Sequence, residues 1–171
     1  ARASRIRAGG TQGGGPDAMP THSEMRRMPY SARQLYDLVA DIESYPEFLP
    51  WCQAARIRSR TTREDGAEVI EADLVISFKV YRERFGSRVI LHPGEYRIDV
   101  SYLDGPFRYL DNHWHFIPAG ERACDVDFYV DFEFRSRTLQ MVIGTVFNQA
   151  MQQIVRAFER RAHALYGKAE V

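Results

Sequence analysis

Between Asp125 and Tyr166 the spacing of apolar residues changes once, and that change constrains the fold more than any other feature. Val126, Phe128, Val130, Phe132 and Phe134 alternate with Asp125, Asp127, Tyr129, Asp131 and Glu133. A strand with one dry and one wet face belongs to an antiparallel sheet covered on one side. From Thr138 the period becomes helical: Leu139, Val142, Ile143, Val146, Phe147, Ala150, Ile154, Phe158, Ala162 and Leu165 fall on one stripe, and Gly167 supplies the stop. A helix over Thr138–Tyr166 is roughly 44 Å long. It is too long to stand alone, so its stripe must lie along the dry face of the sheet.

The upstream chain reads as the rest of that sheet. Thr21 to Met28 suits a first strand. Ser31 is placed to cap a helix over Ala32–Asp41, whose Leu35, Leu38, Val39 and Ile42 share one face. In Tyr45 to Cys52 the two prolines prevent a long helix, and Phe48, Leu49 and Trp51 are expected to tuck inward. This segment is either a lid with aromatic tips or a rigid connector that plugs the core. From Gln53 to Arg135 the period is two. Ile70, Ala72, Leu74, Ile76, Phe78 and Val80 line one face, followed by Phe85, Ser87, Val89 and Leu91, then Tyr96, Ile98, Val100 and Tyr102. Turns are expected at Glu64-Asp65-Gly66, His92-Pro93-Gly94, Asp104-Gly105-Pro106 and Ala119-Gly120. The order is strand, two short helices, about six antiparallel strands and one long helix. A twisted sheet curves, and a straight helix across its hollow side leaves an apolar gap.

Charge and cysteines narrow the function. Arg2, Arg5 and Arg7 against Asp17 give the first twenty residues +2, and the other 20 basic and 22 acidic residues sum to −2. A body so balanced lacks the general positive field of a dedicated nucleic-acid binder. Cys52 and Cys124 are too far apart for a CxxC pair, which argues against a disulfide framework and a zinc site. No apolar run approaches the ~20 residues that cross a bilayer, so membrane contact would be peripheral. The glycine-rich residues 1–20 are expected to form a disordered leader, with Met19 a candidate start, and 21–168 to form the one folded domain.

Several polar groups invite chemical readings. Arg56, Arg58 and Arg60 form a basic stripe, suited to anionic lipid heads or RNA, or to guarding an edge strand. His113 and His115 share a face opposite Trp114 and Phe116, so they should meet water and pair with acids such as Asp127 or Asp131. No GxSxG, HExxH, P-loop or GxGxxG motif occurs, and the alternating carboxylates lie on a wet face where no burial tunes them. The reading is a non-catalytic binder. The chamber wall is expected from Phe48, Leu49, Trp51, Leu74, Ile76, Phe78, Val89, Val100, Tyr102, Phe107, Trp114, Phe116, Phe128, Val130 and Phe132, with Val142, Val146, Phe147 and Met151 from the helix. A polar head would need one or two donors, for which Tyr102, Trp114 and Tyr109 are the candidates.

Specific motifs add a resemblance. Pro-Tyr-Ser at 29–31, Leu-Val-Ala-Asp at 38–41, Tyr-Pro-Glu-Phe-Leu-Pro-Trp-Cys at 45–52, Gly-Pro-Phe at 105–107, Trp114-x-Phe116, Asp131-Phe-Glu-Phe134 and Ala157-Phe-x-x-Arg-Ala162 with Leu165-Tyr-Gly carry it. The chain resembles the coenzyme Q-binding START-domain family, with its ribosome-association toxin branch, in the polyketide cyclase/dehydrase and lipid-transport superfamily. It departs from the pattern in the leader and in His113 and His115. The resemblance implies an α+β helix-grip fold (START-like, Bet v 1-like), a curved six- to seven-stranded antiparallel sheet around a long C-terminal helix. It also implies binding of ubiquinone (coenzyme Q) in support of respiration or quinone synthesis, with no further cofactor and no metal. The other implied role is binding the large ribosomal subunit and blocking subunit joining. The expected location is the bacterial cytoplasm, peripheral at the inner membrane, or the mitochondrion for a eukaryotic source.

Overall fold

The computed structural model describes residues 5–6 and 21–167. Their elements in chain order are β1 (Arg5–Ile6), β2 (Thr21–Met28), α1 (Ala32–Ala40), a 3-10 turn (Ile42–Glu47), β3 (Cys52–Thr62), β4 (Glu68–Phe78), β5 (Tyr81–His92), β6 (Arg97–Asp104), β7 (Phe107–Pro118), β8 (Cys124–Phe134) and α2 (Arg137–Tyr166). All strands join one antiparallel sheet in the order β1-β2-β8-β7-β6-β5-β4-β3. Seven long strands and one terminal helix match the expected α+β helix-grip plan. The two-residue β1 adds to it, pairing Arg5 with Met25 and Ile6 with Glu24. The remainder of the expected leader lies outside the described residues.

Local chemistry explains the helix ends. The Ser31 side chain accepts from the Gln34 backbone N–H while the Gln34 side chain accepts from the Ser31 N–H, a reciprocal capping box for α1. Ser136 caps α2 by accepting from the Leu139 N–H, and Gly167, at φ 81°, ends it. Thirty residues make α2 about 45 Å long, which lets it cross the whole concave face. Its far end is tied to α1 by the Tyr166 hydroxyl donating to the Gln34 carbonyl at 2.8 Å.

The core falls into two apolar clusters. One joins α1, Ile70, Ala72, Val89, Leu91, Ile98 and Phe116; the other joins Phe85, Phe107, Phe128, Val130, Phe132, Phe147 and Met151. Half-buried Leu74 and Trp114 pack against both. Phe116 is 1% exposed and Ile70 fully sealed, so the first cluster is packed tightly. One expectation needs correction here. Val80 is not on the inner row: it is 92% exposed. Phe78 pairs with Tyr81, so Lys79 and Val80 form the two-residue β4–β5 loop and leave the pleat. Among the described residues no helix is long and apolar enough to cross a membrane.

Candidate functional site

The concave side of the sheet holds a chamber of about 270 Å3 under α2. The sheet contributes Cys52, Leu74, Ile76, Phe85, Ser87, Val89, Ile98, Val100, Leu110, Asn112, Trp114, Phe128 and Val130. α1, the 3-10 turn and the following connector contribute Val39, Ile42, Tyr45, Leu49, Pro50 and Trp51; α2 contributes Met151, Ile154 and Phe158. The chamber draws on both core clusters and lies where they fail to meet. Its size falls just below the ~300–1,000 Å3 typical of small-molecule sites. It has room for a ring and the start of a tail, and a long polyprenyl chain would have to continue outside.

Of the expected wall residues, Leu49, Trp51, Leu74, Ile76, Val89, Val100, Trp114, Phe128, Val130 and Met151 are brought together. The others sit elsewhere. Phe48 packs edge-on against Phe158 and Tyr45, Phe78 against Trp51, and Phe116 stacks behind Trp114. Tyr102 and Phe132 pack edge-on against Phe107, which also stacks on Phe134 at 4.6 Å. Phe147 rests on Phe132, while Val142 and Val146 are half-buried near the start of α2 and off the chamber. The reason is one of placement: only the Met151–Phe158 stretch of α2 faces the hollow, and helical period alone does not say where along a sheet a stripe lands.

The polar groups of the wall are mostly committed to each other. Trp114 Nε1 donates to Asn112 Oδ1 at 3.0 Å, and Asn112 Nδ2 donates to the Tyr129 carbonyl at 2.8 Å. The Tyr45 hydroxyl donates to the Val39 carbonyl, and burial raises its pKa well above the ordinary phenol. Burial also raises the Cys52 thiol, which reaches the Ala54 carbonyl at 3.7 Å. Of the expected head-group donors, Tyr102 accepts from the Phe107 N–H at 3.2 Å. Tyr109 lies on the wet face opposite Glu133 and reaches Asp131. A register shift between Phe107 and Tyr109 is what turns it outward. Twelve wall residues lie outside the set expected from the sequence, Ser87, Asn112, Phe85 and Phe158 among them. For Ser87 the signal was present in the sequence, as one hydroxyl in an otherwise apolar inner row.

A smaller hollow of about 60 Å3 lies beside the chamber and shares Val39, Trp114, Phe128 and Phe158 with it. Its wall is charged on one side. Glu24, 8% exposed, receives His22 Nε2 at 3.1 Å and Arg26 Nε at 2.9 Å, and Arg26 also pairs with Glu159 of α2. The His22 hydrogen bond, with help from Arg26 and against burial, holds the Glu24 carboxyl below its ordinary value of 4.5.

The outer face corrects the basic stripe. A register shift between Ile57 and Ser59 places Arg56 opposite Asp73 but Arg60 opposite Ile70, so the three arginines do not share a face. Arg58 is bidentate to Asp73 at 2.5 and 2.7 Å, and Arg60 reaches Glu68 at 3.4 Å. The arginine pairs are therefore largely neutralised on edge strand β3. His113 does face outward, but its acids are Asp99 at 2.6 Å and Asp111 at 2.7 Å, not Asp127 or Asp131. No group of three or more His, Cys, Asp or Glu among the described residues is arranged to hold a metal ion.

A curved antiparallel sheet gripping one long helix over an apolar hollow defines a helix-grip cavity protein, and the family comparison agrees. The chain belongs to the polyketide cyclase / dehydrase and lipid transport family, whose model matches residues 28–159. Within it, the chain is similar to the ribosome association toxin RatA of Rickettsia prowazekii, 44% identical over 138 residues, covering 79% of this chain and 90% of that protein. It is also similar to the mitochondrial coenzyme Q-binding protein COQ10 homolog B of Xenopus laevis, 32% identical over 154 residues, covering 88% of this chain and 61% of that protein. A START superfamily protein from Mycobacterium smegmatis shares the fold, with a TM-score of 0.71 at 19% identity over 85% of this chain and 98% of that one.

Proposed function

We propose that this protein binds ubiquinone or a similar prenyl lipid and carries it without performing chemistry on it. The observation that supports this best is the chamber, walled almost entirely by apolar and aromatic side chains with no charged residue among the described wall residues. Burying such surface is worth about 25 cal/mol per Å2, enough to hold a greasy ligand without any covalent anchor. No carboxylate, histidine, lysine or arginine lies among the described wall residues, and burial keeps the Tyr45 hydroxyl and the Cys52 thiol there protonated. A carrier must meet its membrane peripherally, and the β4–β5 loop suits that contact: exposed Val80 stands next to Lys79, near Phe78 and Trp51. The test is organic extraction of purified protein followed by mass spectrometry, with uptake of added ubiquinone. A bound quinone is expected; consistently empty protein that takes up none would sink the reading.

The name of the Rickettsia relative, a ribosome association toxin, supports a second reading: a regulator that associates with the ribosome, for which the large subunit is the binding site we propose. Its expected signature is salt-sensitive co-sedimentation with that subunit. Since Arg58 and Arg60 are paired to acids, exposed Arg56 is the cation of the former stripe to neutralise first. Sedimentation that is unchanged in Arg56→Gln removes this strand from the ribosomal reading.

A further inference from the structure

Ser87 is the exception on the inner row of β5. Phe85, Val89 and Leu91 point the same way and are buried, and Ser87 itself is only 3% exposed. A hydroxyl among apolar neighbours is costly unless it has a partner. No described residue bonds its hydroxyl, which is not sealed but keeps access to open space. The side chain instead lines the chamber. A register shift interrupts the pairing with β6 at this point, where Leu103 is the extra residue between the partners of Gly86 and Ser87. If only a small residue were needed here, alanine would fill the place without a hydroxyl to desolvate.

We propose that Ser87 is the polar anchor of the chamber, donating a hydrogen bond to the oxygen of an uncharged lipid head, a carbonyl or a hydroxyl. The same wall selects against ionised heads. No carboxylate, lysine, arginine or histidine lies among the described wall residues, so a buried phosphate or carboxylate would have no counter-charge. The inference rests on the lipid-binding reading and adds which end of the ligand goes inside: the neutral head is held at Ser87 and the tail runs out.

The test titrates the full chain with decylbenzoquinone, decylbenzene and decanoate, following the fluorescence of Trp51 and Trp114, which are both on the wall. Wild-type protein is expected to bind the quinone tightest and decanoate weakest at pH 7. Ser87→Ala is expected to weaken the quinone about 2- to 10-fold while decylbenzene binding holds and the thermal midpoint does not fall. Unchanged quinone affinity in Ser87→Ala overturns the anchor and leaves the lipid reading standing. Equal loss of both probes also counts against it, because that marks damage to the whole chamber. Decanoate binding as tightly as the quinone overturns the selection for neutral heads. If wild type binds neither quinone nor decylbenzene, the lipid-binding reading itself fails.

Discussion

Gly105 shows how closely single positions are constrained beside the chamber. It sits at φ 135°, and a Cβ there would lie 2.7 Å from Phe85 Cβ and 2.9 Å from the Arg84 carbonyl oxygen. Neither neighbour is the free end of a side chain, so backbone must move. Gly105→Ala is expected to destabilise the fold by about 2 kcal/mol in denaturant titrations; a change under a few tenths would show that β5 yields easily. The two thiols give a second residue-scale expectation. Burial raises Cys124 to about 12 and raises Cys52 as well. A raised thiol pKa means less thiolate at a given pH, so both should react slowly with a thiol reagent at pH 8 and rapidly once unfolded. Because Cys52 is on the chamber wall and Cys124 is not, an added quinone should slow Cys52 alone. Protection of both or of neither would contradict that placement.

At the scale of elements, alternation and helical period make most of the sheet and both helices legible in the sequence. What they could not show were bulges. One extra residue reverses the face of everything beyond it, which is why Arg60 leaves the stripe of Arg56 and why Tyr109 turns to water. The charged contact between β2 and α2 was equally hidden, since Glu24 and Glu159 are far apart in sequence and meet only through Arg26. That contact has a pH signature. Glu24 titrates below its ordinary 4.5 in the folded state, so the stability it contributes is present above about 4.5 and is lost as pH falls through the lower folded value. Thermal midpoints should hold from neutral pH down to about 5 and then drop. Asp73 and Asp125, also held low by hydrogen bonds from Arg58 and Arg27, add to the drop. Glu24→Gln should therefore flatten the acid limb only in part, and an unaltered limb would remove Glu24 from the account.

For the whole molecule, the chamber is a choice against stability. A hollow of about 270 Å3 is space in which side chains make no packing contacts with one another, and such contacts are what stabilise a core. The sequence implied such a hollow from the mismatch of a curved sheet and a straight helix, but could not size it. Size depends on where the two core clusters stop, and on Trp114 and Asn112 tying each other in place. Enlarging a wall residue should therefore cost little and enlarging a packed one should cost much. Val100 is on the wall, whereas Ile70 is sealed and off it. Val100→Phe should keep or raise the thermal midpoint while cutting quinone uptake at least tenfold. Ile70→Phe should lower stability by about 1–3 kcal/mol through overpacking. Ligand and filling residue would then compete for one volume, so saturating quinone should raise the wild-type midpoint and leave that of Val100→Phe unmoved. Equal destabilisation by both substitutions, with no stabilisation by quinone, would mean that the hollow closes in solution and that the carrier reading has lost its ground.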